Sequence, residues 1–156
     1  MEYRIATKED INELVRLRIE FLNEITENRH VTNQDLVATQ LKRYFNDHLD
    51  EDDFISWLAV DKTHIVGTGA ICFYDYPAGY GDCNGKYGYI LNIYIVPGYR
   101  RQGLAEKIME MLIQAAREKG AGLVTLRTTK MAKQLYEKFG FGVKDNLMTV
   151  SLQLAS

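Results

Sequence analysis

Arg100, Arg101, Gln102, Gly103, Leu104 and Ala105 form a short basic segment with a glycine inside it. They follow an apolar, aromatic and β-branched run over residues 87–96, which reads as a buried strand. Pro97 and Gly98 stop that strand. From Leu104 the spacing is helical, with Leu104, Ile108, Met111, Leu112 and Ala115 on one stripe. A helix start leaves backbone N–H groups without partners and carries partial positive charge. Gly103 lets a ligand approach the backbone, Ala105 keeps the first turn uncluttered, and the arginines add charge. The combination suits a pyrophosphate. An ordinary surface turn with two solvated arginines fits the same residues equally well.

Three other groups have chemistry to offer. Tyr136 carries a phenol that holds its proton at neutral pH and can donate it, although a tyrosine that only packs is the competing reading. Asn92 places an amide inside an apolar strand, where it needs hydrogen-bond partners. It can orient a substrate or a water, or serve structure alone, but it cannot be a base. Asp75 and Asp82, in a tyrosine-rich loop, can attract a cation or act as bases, or lie solvated on the surface. Tyr74, Tyr76, Tyr80 and Tyr87 either line a site for an amine or pack on one another.

The elements that would position these groups follow from periodicity and punctuation. A first strand covers 3–6. Thr7-Lys8-Glu9-Asp10 resembles a capping box, with Asp for the usual Glu or Gln, and opens a helix to about residue 24. A polar break spans 25–30. Thr32 caps a second helix running to about residue 49, and an acidic turn covers 50–53. Strands at 54–60 and 65–74 flank a hairpin turn at Asp61-Lys62-Thr63-His64. After the loop come the strand and helix described above, the helix ending at Lys119-Gly120. Residues 123–128 form another strand. Thr128 or Thr129 caps a helix over 130–139, and Gly140 ends it. A strand segment starts at 141–143. Met148, Val150, Leu152 and Leu154 alternate with polar residues as a half-buried terminal strand. The order is β-α-α-β-β-β-α-β-α-β(β), an α+β fold in one domain over 1–156.

Composition bounds the rest. A chain of 156 residues, 46% hydrophobic and 26% charged, is a soluble globular domain. A net charge of −2 gives no basic field for nucleic acid. Cys72 reads as a small core residue and Cys83 as a free loop thiol, with no disulfide framework. His30, His48 and His64 are scattered, so no metal cluster is expected. No apolar run reaches a membrane-spanning length, and the first residues do not read as a signal peptide. A reducing, cytoplasmic location is the expectation. Gly81-x-x-x-Gly85-Lys86 has the wrong spacing for a P-loop, lacks the following Ser or Thr, and precedes a strand.

Arg100-x-x-Gly103-x-Ala105, after a strand ending Val96-Pro97, resembles the acetyl-CoA signature of the GCN5-related N-acetyltransferases (GNAT). About thirty residues on, Ala132-x-x-Leu135-Tyr136-Glu137-Lys138-Phe139-Gly140-Phe141 is similar to the family's A-x-x-L-Y-x-x-x-G-F segment. The element order matches as well, so the resemblance covers essentially the whole chain. It implies a mostly antiparallel mixed sheet flanked by four helices. It implies acetyl transfer from acetyl-CoA to a primary amine of a small molecule or peptide, by direct attack in a ternary complex without a metal. A non-catalytic acyl-CoA sensor and a transferase for longer acyl chains are the alternatives. By resemblance, pantetheine runs along Ile93, Tyr94, Ile95 and Val96, near a β-bulge. The pyrophosphate sits on 101–105 with help from Arg100 and Arg101. A backbone N–H near Ile95 or Val96 polarises the acetyl carbonyl, and Tyr136 protonates the leaving thiolate. Glu20 and Glu24 fall in the family's substrate region, beside Asp75 and Asn92 as candidate acceptor contacts. Where the family often has an asparagine that touches the cofactor, this chain has Thr129. Homodimers are common in the family.

Overall fold

The computed structural model describes residues 1–27, 31–144 and 146–152. Five strands form one sheet in sequence order: β1 (Glu2–Ile5), β2 (Phe54–Asp61), β3 (His64–Asp75), β4 (Lys86–Ile95) and β5 (Leu123–Leu126). Pairing is antiparallel throughout, except that β4 and β5 run parallel. The parallel step requires a crossover. Helix α3 (Leu104–Glu118) supplies it. Helices α1 (Ile11–Ile25) and α2 (Gln34–His48) precede β2, and α4 (Lys133–Lys138) follows β5.

The sheet has an apolar layer on each face. Leu14, Val15 and Leu17 of α1 and Phe45 of α2 pack on Leu58, Ala70 and Tyr94. On the other face, Leu104, Ile108, Met109 and Leu112 of α3, with Tyr136 of α4, pack on Ile71, Ile90 and Ile95. Ile108 and Leu112 are fully buried, each contributing about 1.5–3 kcal/mol. At the start of α1, the Asp10 carboxylate accepts the Thr7 backbone N–H at 2.8 Å and both ends of the Arg4 guanidinium at 2.8 Å. The expected return bond of the capping box is therefore present. The Arg4 bonds hold the Asp10 carboxyl below its ordinary range.

Three expectations need correction. Helix α2 begins at Gln34 with Asn33 before it, so Thr32 lies one residue outside the cap. Helix α4 begins at Lys133, three residues later than the pattern suggested. Residues 141–144 and 146–152 form no strand, and Leu147, Met148, Val150 and Leu152 are exposed. Alternation states which face of a strand would be apolar, but a strand exists only where a neighbour's ladder receives it, and none does so here. His30 and Leu154 lie outside the described residues.

The register of β3 on β4 contains the feature that shapes the centre of the sheet. Thr68 pairs with Tyr94, but Ala70 pairs with Leu91, so β4 holds one extra residue there. Asn92 takes φ +59° at this bulge. Asparagine tolerates that left-handed conformation better than most residues, which explains an amide in an apolar strand. Opposite the bulge is Gly69. A Cβ on it would lie 2.5 Å from Ile108 Cγ2 and 2.6 Å from Ile93 Cδ1. The glycine lets α3 close onto the bulged strand. Gly69→Ala is expected to destabilise the protein by about 1–3 kcal/mol through overpacking. Urea unfolding measures this, and an unchanged midpoint would show that α3 and Ile93 do not meet over Gly69 as described.

Candidate active site

The site begins where two strands part. The parallel ladder of β4 on β5 runs from Tyr87↔Leu123 to Ile90↔Leu126 and stops, while β4 continues to Ile95. Beyond Ile90 one edge of β4 therefore has no neighbouring strand among the described residues. Such an edge presents backbone donors and acceptors to anything that lies along it. The Val96 N–H is not among them, because it donates to Val66 O on β3 at 2.9 Å. Strand alternation turns the Ile95 N–H to the opposite, open side. Of the two expected oxyanion donors, geometry leaves Ile95 available and Val96 occupied.

The open edge leads into the β4–α3 turn. A 3-10 turn covers Pro97–Tyr99, Arg100 is extended, Arg101 takes φ +62°, and Gly103 takes φ +82° before the first helical residue, Leu104. No heavy atom lies within 4 Å of where a Gly103 Cβ would stand. The glycine answers to its backbone conformation, and the space above it is open. The Lys107 N–H makes the first helical bond, to Gly103 O at 3.0 Å. The N–H groups of Leu104, Ala105 and Glu106 precede it at the positive end of a 15-residue helix.

The two arginines of the turn do different things. Arg101 is exposed, as is Gln102. Arg100 turns inward: its Nε donates to Ile95 O at 2.8 Å, a terminal nitrogen donates to Glu24 Oε2 at 2.6 Å, and the guanidinium lies 5.5 Å from the Tyr94 ring centre. The Glu24 bond raises its pKa further. Arg100 thus ties the end of β4 to α1.

Other α1 side chains meet the same strand. Glu20 accepts from Arg16 at 2.6 Å and from the Tyr94 hydroxyl at 3.5 Å. Burial, then the neighbouring carboxylates Glu20 and Glu24, push the Tyr94 phenol up. Arg18 donates to the Asn92 side-chain oxygen and lies 5.6 Å from the Phe21 ring centre. Sequence reasoning missed Arg18. The available signal was its spacing, since it shares the apolar stripe of Leu14, Leu17 and Phe21.

On the other face, Tyr136 is 8% exposed and lies edge-on to Phe141 at 6.3 Å. It shares an apolar cluster with Ile95 and Leu104. No hydrogen bond from a described residue reaches its hydroxyl, and burial raises its pKa. The phenol keeps its proton and has no acceptor among the described residues. The Thr129 hydroxyl accepts the Ala132 N–H at 3.3 Å, a local bond at the entry to α4.

The candidate acceptor residues divide. Glu20, Glu24 and Asn92 converge with Tyr94 and Arg100 around β4. Asp75 and Asp82 lie elsewhere. Asp75 pairs with Lys86 at the far end of β3 and shares a surface cleft with Glu51, Asp52, Asp53 and Lys119. Asp82 forms a backbone bridge with Gly79 within the loop. Tyr87 stacks on Tyr76 at 5.2 Å and meets Tyr74 edge-on at 5.6 Å, while Tyr80 is exposed. Within the loop, Tyr76 packs on Tyr87 of β4 while residues 74–81 stay exposed.

Known proteins share this fold. A family model described as Acetyltransferase (GNAT) family matches residues 19–141. No curated protein matches the sequence. A predicted acetyltransferase from Clostridium acetobutylicum, solved with acetyl-CoA, is 30% identical, with a TM-score of 0.87 over 97% of this chain and 96% of its own. A GCN5-related N-acetyltransferase from Ralstonia eutropha is 19% identical, with a TM-score of 0.87 over 97% of this chain and 99% of its own. Glucosamine-6-phosphate N-acetyltransferase from Arabidopsis thaliana is 23% identical, with a TM-score of 0.70 over 98% and 100%. The last two likenesses concern fold alone. With the family model spanning β4, the turn, α3 and α4, the chain belongs to the GNAT acetyltransferase family.

Proposed function

We propose that this protein transfers the acetyl group of acetyl-CoA to a primary amine by direct attack in a ternary complex. The observation that carries the proposal is the continuity of the open β4 edge with the Gly103 turn. An extended, amide-containing pantetheine arm can bond to a strand edge as a further strand would. The pyrophosphate then falls at the N-terminus of α3, where unpaired N–H groups, the helix dipole and the exposed Arg101 favour its charge. The structure of the Clostridium relative with acetyl-CoA supports acetyl-CoA as the donor.

The chemistry follows from the groups nearby. The Ile95 N–H faces the open edge and can stabilise charge developing on the thioester oxygen. The neutral amine attacks the carbonyl carbon, its lone pair forms the C–N bond, and the C–S bond breaks. Tyr136, protonated at neutral pH, gives its proton to the departing sulfur, and the proton that the acylated nitrogen sheds on becoming an amide restores the phenol through solvent. An amine starts protonated near neutral pH and must lose a proton first. Glu20 and Glu24 lie nearest in the network but are ion-paired with Arg16 and Arg100. A water between them and the amine is the proposed route for that proton.

Two variants test the reading. Gly103→Glu adds a side chain at positive φ and a negative charge at the helix start. It is expected to weaken acetyl-CoA binding by about a hundredfold or more in calorimetric titration. Gly103→Ala separates backbone strain from charge, and equal losses in both variants would contradict a pyrophosphate there. Tyr136→Phe keeps the packing and removes the proton donor. Its kcat is expected to fall by about 10²-fold while KM for acetyl-CoA changes little. An unchanged kcat would remove Tyr136 from the proton transfer.

A further inference from the structure

We infer that the acceptor carries an oxyanion, a carboxylate or a phosphate, close to its amine, and that Arg18 anchors it. The inference rests on the acyl-transfer reading and specifies its second substrate. Arg18 is half-buried on the apolar stripe of α1 and lines, with Leu14, Leu17, Phe21, Thr68, Asn92 and Tyr94, a crevice too narrow for a water molecule, so an anion meets the guanidinium at its solvent-facing edge. Burial there works against its charge. Yet no carboxylate among the described residues pairs with it. The nearest α1 carboxylates are engaged by other arginines, Glu20 by Arg16 and Glu24 by Arg100. Tyr89 is the other titratable group whose field reaches it.

The sole polar partner of Arg18 among the described residues is the neutral side-chain oxygen of Asn92, bonded through one terminal nitrogen. A guanidinium has five N–H donors in a planar fork, so most of its bonding capacity remains. A partly desolvated cation whose contacts are one neutral amide oxygen and the Phe21 ring has no opposite charge beside it. An oxyanion completes it with two parallel N–H···O bonds, a geometry that arginine matches and lysine does not.

The location gives this a use. Asn92 is the bulge residue, two positions past Ile90, where the open edge of β4 begins. An anion held by Arg18 therefore lies beside the stretch of strand along which the thioester is proposed to run. A carboxylate or phosphate a few bonds from an amine brings that amine to the same place. The aspartates of the distal loop do not reach this network.

The test compares matched amines. Each α-amino acid is set against its decarboxylated amine, and O-phosphoethanolamine against ethanolamine. Turnover is followed by release of CoA thiol, and binding by calorimetric titration into the protein with and without CoA. An oxyanion-bearing amine is expected to exceed its neutral counterpart by about tenfold or more in kcat/KM and affinity. Arg18→Ala should erase that preference, and Arg18→Lys should retain part of it. Asn92→Asp, which gives Arg18 an internal carboxylate, should weaken binding of the oxyanion-bearing member. Which pair shows the effect separates carboxylate from phosphate. Preference for the neutral members, no Arg18-dependent discrimination in binding or turnover, or equal loss on both members in Arg18→Ala overturns the inference. Failure of the wild type to bind acetyl-CoA counts against the acyl-transfer reading instead, because the CoA-free titrations still report on Arg18.

Discussion

A strand that outruns its neighbour is the constraint on which this molecule depends. Strand β4 continues to Ile95, but its parallel partner leaves it after Ile90↔Leu126. Backbone donors and acceptors in a protein must be satisfied by something. On the β3 side they are, as the Val96 bond to Val66 shows. On the open side, among the described residues, Arg100 intervenes by bonding to Ile95 O. A sheet completed at both edges would have no slot and no place for an extended ligand. Most of the fold can be understood as holding that gap open in one shape.

Two devices hold it. The bulge at Asn92 changes the register of β3 on β4 midway, and Gly69 lets α3 seat itself over the distortion. On the other face, α1 reaches down three times, through Arg18 to the bulge, through Glu20 to Tyr94 and through Glu24 to Arg100 in the turn. These contacts join α1, β4 and the start of α3, the elements around the proposed reaction. Exposed ion pairs add little stability. The Glu24–Arg100 pair is more significant for position, because it directs one arginine of the turn inward and leaves Arg101 facing outward.

Much of this was readable before the structure. The apolar run over 87–96 and the helical stripe from Leu104 lie within one residue of the observed elements, because each is long and strongly periodic. The Gly103 turn was marked by a glycine between an arginine pair and a helix start. Asn92 was visible as an anomaly, but its meaning was not, since a positive φ and a buried functional amide place the same residue in the same pattern. Arg18 was hidden by adjacency. It follows Leu17, and composition alone makes a helix arginine look solvated. The terminal residues misled for the opposite reason. Their alternation is clear, but strand formation depends on a partner edge that the local pattern cannot specify. The aromatic loop likewise could not reveal that Tyr74, Tyr76 and Tyr87 would satisfy one another.

The central claim is that the open edge of β4 and the start of α3 form one continuous binding surface for acetyl-CoA. Amide hydrogen exchange, followed residue by residue with and without acetyl-CoA, tests it most directly. The amides of Ile95 and of residues 104–106 are expected to slow together, by about tenfold or more, while residues 76–85 are unaffected. Protection concentrated in the 76–85 loop, with Ile95 and the α3 start unchanged, would contradict it.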